Sequence, residues 1–309
     1  MDIRRRFLIT SEDKFDYDNY MTIESLGDNV EVALIRNATG YSDNNYIEYC
    51  VDGSNNWIKL NISTSTKKYY TQRINKGHKL SFRGYLKPYL DSNENKKSGI
   101  GIFSIMNGKC NLTGNCNSLL FGDNVLTNNS LVEYECAFYK LFYECQNINN
   151  VSPNFLPADK LSKNCYGYMF SYSSLIEASN LPAQKLEDSC YYHMYENCQS
   201  LTNAGEISAV ESAKNCCNSM FSGCTSLKNA PILYIEKLEI NSYHCMFRYC
   251  NSLEYIKTYA NPNNNALSYW LDGVSTTGEI YVTRESYEYW YSYKPTGWSL
   301  IIIKEDGER

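Results

Sequence analysis

Between residues 137 and 260 the chain states one phrase five times, and a chain that repeats itself this way has few folds open to it. The copies read Leu141-Phe142-x-x-Cys145-x-x-Ile148, Met169-Phe170-x-x-Ser173-Ser174-Leu175 and Met194-Tyr195-x-x-Cys198-x-Ser200-Leu201, then Met220-Phe221-x-x-Cys224-x-Ser226-Leu227 and Met246-Phe247-x-x-Cys250-x-Ser252-Leu253. The closing apolar residue falls at 148, 175, 201, 227 and 253, one step of 27 followed by three of 26. A fixed period of this size marks a stack of similar coils, each burying its apolar face against its neighbours. Such stacks usually present binding surfaces.

Each copy divides in two. A Pro-free half such as Cys190 to Cys198 has room for about two helical turns. The other half, Leu175 to Leu186, carries Leu181-Pro182-Ala183, and Pro stops regular structure. Parallel forms are Phe155-Leu156-Pro157-Ala158 and Ala230-Pro231. The expectation is an α/β solenoid, with an extended segment on one side and a short helix on the other. Of the thirteen cysteines, seven follow the same register. Cys165, Cys190 and Cys216 precede the repeat Met by four residues, and Cys198, Cys224 and Cys250 follow it by four. Small buried apolar side chains behave so. Stacked helices would hold equivalent cysteines ~10 Å apart, beyond the ~4.4–6.8 Å Cα separation of a disulfide, so packed thiols are expected.

The 309 residues suggest two or three units. Residues 1–107 show the alternation of an all-β, sandwich-like domain, in Thr22 to Leu26, Val30 to Ile35, Ile47 to Val51, Trp57 to Leu60 and Lys79 to Phe82, with a loop from Lys87 to Ser98. Residues 108–136 are expected to bridge and cap with strands, residues 137–260 to hold the five repeats, and residues 261–309 to close the stack as a β cap built on Trp270 to Val274, Gly278 to Val282 and Gly297 to Ile303. The whole is read as multidomain.

A net charge of −5 argues against nucleic acid, which demands a basic stripe. Arg4-Arg5-Arg6 runs directly into acidic residues and reads as a solvated start. Phe7-Leu8-Ile9 is too short for a secretory core, and no stretch approaches the ~20 apolar residues of a membrane span. With Met1 as the natural start, the ordinary export route is not expected to carry the chain.

The phrase Met-Phe-x-x-Cys-x-Ser-Leu with Leu-Pro-Ala spacers, clearest in Cys190 to Leu201 and Cys216 to Leu227, resembles the BspA-like leucine-rich repeats. Such repeats occur in surface proteins of gut Bacteroidetes and in proteins of their phages. The flanks Ile47 to Gly53, Ser118 to Asn124 and Trp270 to Val274 extend the likeness over most of the chain. The chain departs from the pattern in copy two, which lacks the central Cys and one residue, and in copy five, where Ser242 replaces the leading Cys. The resemblance implies adhesion or protein recognition without catalysis. With no export signal it favours a virion protein, fibre-like on tail or head, that binds protein or glycan on a host or neighbouring surface, with other virion proteins as further partners. The alternatives are a bacterial surface adhesin and an intracellular interaction scaffold.

No cofactor, metal or catalytic group is expected. His193 and His244 stand in different columns, and no paired Cys-x-x-Cys occurs. Asp91-x-Asn93-x-Asn95 lacks the Gly and Glu of a calcium loop, Ser65-x-x-Lys68 lacks its companion motifs, and Gly99-x-Gly101 lacks a third Gly. An enzyme would need a pocket holding paired carboxylates or a Cys-His pair, for example Cys190 or Cys198 beside His193. The candidate binding residues are the variable polar positions of the extended half: Glu177, Asn180, Asn203, Glu206, Lys228, Asn229, Glu254 and Lys257. Of the 29 tyrosines, Tyr166 and Tyr191 fit a core column with Phe138, while Tyr168, Tyr172, Tyr192 and Tyr249 are surface candidates.

Overall fold

A computed structural model describes residues 15–35, 46–60, 68–86, 89–90, 97–98 and 102–304. The Arg4-Arg5-Arg6 cluster, the calcium-loop fragment, Ser65 and the Gly99-x-Gly101 pair lie outside the described residues. The strands are β1 (Met21–Ser25), β2 (Glu31–Ile35), β3 (Ile47–Val51), β4 (Ile58–Leu60), β5 (Lys68–Tyr70), β6 (Lys79–Gly84), β7 (Tyr89–Leu90) and β8 (Lys97–Ser98). They continue with β9 (Ile102–Met106), β10 (Cys110–Thr113), β11 (Ile148–Val151), β12 (Tyr255–Lys257), β13 (Gly278–Val282) and β14 (Trp298–Ile302).

One sheet runs β11-β10-β1-β6-β3-β4 and a second runs β5-β2-β9. All their pairings are antiparallel except β10 with β11. The two sheets meet where Phe82 of β6 and Phe103 of β9 cross edge to face at 5.3 Å. After β3, Asp52 and Gly53 both hold positive φ and Ser54 N donates to Val51 O at 3.0 Å, a tight turn that suits the Asp-Gly pair. β7 and β8 form a small ribbon inside the segment expected to be loop. Ser118 to Phe121, expected to be strand, forms the only α-helix among the described residues, α1. Its buried Ser118 Oγ accepts from Met21 N at 2.9 Å and donates to Phe82 O at 2.8 Å, tying the helix to β1 and β6.

The α/β solenoid expectation is corrected by the backbone of the repeats. Among the described residues no helix lies between 128 and 286; the half of each copy expected to be helical is a run of turns. In copy three, Cys190, Tyr192, Met194, Glu196 and Cys198 each donate N–H to the carbonyl three residues back, at 3.1–3.2 Å. The alternate residues Ser189, Tyr191, His193, Tyr195 and Asn197 donate instead to the next copy, at Lys214, Cys216, Asn218, Met220 and Ser222, at 2.7–3.0 Å. An α-helix needs successive N–H groups bonded within its own segment, so this alternation excludes it. Every fourth residue is left-handed: Ser189, His193 and Asn197 have φ of 57°, 53° and 56°. The other halves meet through isolated parallel bridges, such as Glu177↔Asn203, Leu181↔Ile207 and Lys185↔Glu211. Pro182, which has no N–H to donate, stands between the second and third. β11 belongs to the first copy yet completes the N-terminal sheet, and one apolar core runs from Met21 to Trp298. The protein is a β-rich fold with few helices.

An aromatic file threads that core. Phe142, Phe170, Tyr195, Phe221 and Phe247 stack at successive centroid distances of 5.5, 5.6, 5.5 and 5.6 Å, with planes within 11° of parallel. Phe103 joins one end at 5.8 Å, and Trp270 and Trp290 follow at the other. β12, β13 and β14 form a parallel sheet over the last copy. Trp270 to Val274, expected as part of a strand cluster, is turn instead. Three indoles pin this end, donating to Tyr293 O, Ala260 O and Ser275 O at 3.0, 3.2 and 2.8 Å.

Two substitutions test the file. Phe221→Ala opens a cavity between two stacked rings and is expected to cost about 3–5 kcal/mol, read as a fall in the urea midpoint. Tyr195 is fully buried and its hydroxyl has no partner among the described residues. Tyr195→Phe, restoring the ring of the neighbouring copies, is expected to raise stability by about 1 kcal/mol. A lowered midpoint for Tyr195→Phe would show that the hydroxyl is satisfied.

Candidate functional site

The expected binding residues occupy neighbouring copies on the bridged side. Glu177, Asn203, Glu206, Lys228, Asn229 and Glu254 are exposed; Asn180 and Lys257 are half-buried. Two of them are committed to the fold: Asn180 Oδ1 accepts from Glu206 N at 2.9 Å, and Asn203 Oδ1 accepts from Gly205 N at 3.1 Å. Lys257 reaches toward the Tyr259 ring, its Nζ 5.7 Å from the centroid. The remainder, Glu177, Glu206, Lys228, Asn229 and Glu254, are exposed and of mixed charge.

A second surface lies along the turn edge. Burial sorts the tyrosines: Tyr166 and Tyr191 are buried beside Phe138, Tyr168 and Tyr192 are half-buried, and Tyr172 and Tyr249 are 41% and 51% exposed. The outward rings touch one another from copy to copy. Tyr168 meets Tyr139 at 5.6 Å, Tyr192 at 5.5 Å and, stacked, His193 at 4.7 Å; Tyr143 meets Tyr172 at 5.9 Å. Lys140 Nζ sits 4.9 Å from the Tyr143 centroid and 5.3 Å from that of Tyr168, and the Arg248 guanidinium lies over Tyr249 at 4.5 Å. His193 Nδ1 is 2.8 Å from Glu196 Oε2, near enough for an ion pair but out of line for a hydrogen bond. Burial pushes the Tyr139 hydroxyl up to about 12 and raises that of Tyr168. Burial, then the Arg248 charge, lowers His244, so this edge holds uncharged phenols and a neutral imidazole at pH 7.

Where copy two is one residue short, the edge opens into a polar cleft of about 350 Å³. Gln146 of copy one and Gln199 of copy three occupy the position that copy two lacks. The cleft between them is lined by both glutamines with Tyr172, Ser173, Ser174, Asn197 and Ser200. Gln146 leans across the gap: its Nε2 donates to Tyr172 O and its Oε1 accepts from Ser174 Oγ. Ser173 stands in for the missing Cys, its Oγ 3.4 Å from Cys198 Sγ. Asn197 packs over Gly223, where a Cβ would fall 2.3 Å from its Oδ1. The sequence marks copy two as irregular, but the lining residues carry no catalytic or metal-binding signature, so residue chemistry alone does not single them out.

The nucleophile arrangement does not form. Cys190 and Cys198 are fully buried, and Cys198 Sγ donates to Phe170 O at 3.1 Å, while His193 faces Glu196 and Tyr168. Cys224 and Cys250 repeat the bond, to Tyr195 O at 3.1 Å and Phe221 O at 3.0 Å. The cysteines are buried as thiols rather than joined in disulfides. A hydrogen bond with the Cys216 thiol, then burial, raises the Cys217 thiol far above its usual range. Among the described residues no three His, Cys, Asp or Glu side chains gather as metal ligands, and no helix is long and apolar enough to cross a membrane.

Burial pushes Cys165 and Cys250 up to about 12 and Cys198 to about 11, from an ordinary 9.0. Above pH 9 the unfolded chain therefore releases protons that the folded chain keeps, and stability must fall as pH rises from 9 toward 12. The urea midpoint is expected to change little with these thiols from pH 6 to 8 and to drop between pH 9 and 11; a midpoint that holds to pH 11 would contradict their burial. No family model matches the chain, and neither a curated protein nor a solved structure matches it.

Proposed function

We propose that this protein is a non-enzymatic recognition module whose turn edge binds protein or glycan on another surface. The observation that carries the reading is the exposed aromatic edge itself. Tyr172, Tyr249 and Tyr269 are 41%, 51% and 65% exposed, yet each is held by a backbone bond: Tyr172 N and Tyr249 N donate to Glu196 O and Asp272 O, and Tyr269 O accepts from Asp272 N. Rigid amphipathic rings give contact area at low entropic cost. The three also hold positive φ, of 59°, 61° and 57°, a conformation unfavourable for a bulky non-glycine residue. Asn or Gly would fit such positions more easily, and Asn197 and Gly223 occupy the column of Tyr172 and Tyr249 in the intervening copies.

The setting favoured by the repeat resemblance is a phage particle, with a bacterial cell surface as the alternative. Mass spectrometry of purified particles separates the two, because the particle setting requires the protein to be present in stoichiometric amounts. Recognition itself is tested by flow cytometry of labelled protein on gut bacterial cells. Replacing Tyr249 and Tyr269 together by Asn preserves the left-handed backbone while removing both rings. The pair is expected to lower cell binding about tenfold or more without lowering the melting temperature. Undiminished binding by the double variant would move recognition away from this edge.

A further inference from the structure

Resting on the recognition reading above, we infer that the cleft left by the missing residue of copy two is a site for one neutral sugar ring of a glycan. At about 350 Å³ it stands at the small end of ligand pockets, which run from ~300 to 1,000 Å³. That room suits a single ring rather than a peptide segment. Its lining is uncharged throughout, made of two glutamines, one asparagine, three serines and a tyrosine. A phosphate or carboxylate would find no cation there. A polyhydroxylated ligand finds what it needs, since sugar hydroxyls both donate and accept, as amides and hydroxyls do collectively.

The lining groups are also available. Among the described residues the side chains of Asn197, Gln199 and Ser200 and the Tyr172 hydroxyl make no hydrogen bond within the protein. Gln146, by contrast, is held by Tyr172 O and Ser174 and forms a fixed wall. Tyr172 supplies an exposed ring face beside these groups, the flat apolar surface on which a sugar's C–H face can rest. Most small-molecule sites are mainly apolar with a few polar groups; this lining is mainly polar with one aromatic ring, which suits a polyhydroxylated ligand. In copies three, four and five the position that copy two omits is filled by Gln199, Thr225 and Asn251.

Saturation-transfer NMR on the full chain provides the test, with glucose, galactose, mannose, N-acetylglucosamine and N-acetylgalactosamine as probes and glucuronate as the charged comparator. At least one neutral sugar is expected to receive saturation on its ring protons, with glucuronate binding more weakly. Gln199→Ala, at an exposed position, and Tyr172→Asn, which keeps the left-handed backbone, are each expected to weaken that sugar about tenfold. Unchanged amide protection in both variants would show that the fold is intact. Loss of sugar binding in the variants with normal folding supports the site. Absence of binding by every neutral sugar overturns it, as does equal binding by wild type and both variants. Cell binding without any sugar binding would overturn this site alone and leave the recognition reading standing. Sugar binding lost in the variants, with no cell binding by the wild type, would support the site and count against the broader reading.

Discussion

The repeats depend on where their backbone N–H groups point. On the turn edge every second amide closes a turn within its own copy, and the amides between cross to the next copy at 2.7–3.0 Å in copy three. No backbone donor of that edge is left over, which a buried segment requires. The crossing bonds also set the separation of the copies, and that separation lets like side chains stack. The aromatic file holds its 5.5–5.6 Å spacing over four steps because the hydrogen bonds of Phe142, Phe170, Tyr195 and Phe221 to the next copy hold it there. The thiols use what remains: Cys198, Cys224 and Cys250 donate to the carbonyls of the preceding ring column, which already accept one turn bond. In copy five Ser242 replaces the leading Cys, and its buried hydroxyl has no partner among the described residues. A thiol, with weaker hydrogen bonding, is the less costly occupant of such a column.

A stack held this way needs both ends finished, because its terminal copies would otherwise expose bonding groups and apolar rings. At the start, β11 pairs in parallel with β10, and Phe103 N donates to Leu141 O, so the N-terminal sheets complete the first copy. At the other end, Tyr243, Phe247 and Tyr249 donate to Ala266, Trp270 and Asp272, in a turn segment that continues the register without a repeat phrase. The indoles of Trp270, Trp290 and Trp298 then close the surface with directed bonds.

Much of this is legible in the residues, and the rest is hidden for a definable reason. The columns, the buried Phe138, Tyr166 and Tyr191, and the exposed Tyr172 and Tyr249 can all be read from spacing. The helix cannot be excluded that way, because Cys190, Met194 and Cys198 recur every four residues, which suits a helical face and this turn ladder equally. The deciding quantity is the sign of φ at Ser189, His193 and Asn197, which side-chain hydropathy does not report. Its trace in the sequence is the recurrence of Asn and Gly at those columns, in Asn164, Asn197, Asn215, Gly223, Asn241 and Gly273. The geometric case against disulfides depended on helical spacing and falls with it. What keeps the thiols apart is the side-chain direction that sends Cys198, Cys224 and Cys250 to backbone carbonyls.

The same ladder explains why a cleft arises at copy two. A strictly repeated copy covers its neighbour column by column. Removing one residue makes a hollow only if the bonds on both sides survive. They do: Tyr172 N still reaches Glu196 O at 2.7 Å before the gap, and Ile176 N reaches Asn149 O at 2.8 Å and Ala178 N reaches Asn203 O at 3.0 Å after it. The omission therefore falls where the turn edge gives way to the bridged side, and the chain regains register by Glu177. Gln146 leaning onto Tyr172 and Ser174 closes one wall without filling the space. The irregular copy is thus as well bonded as the regular ones, and its lost residue appears as a concavity rather than as disorder in the stack.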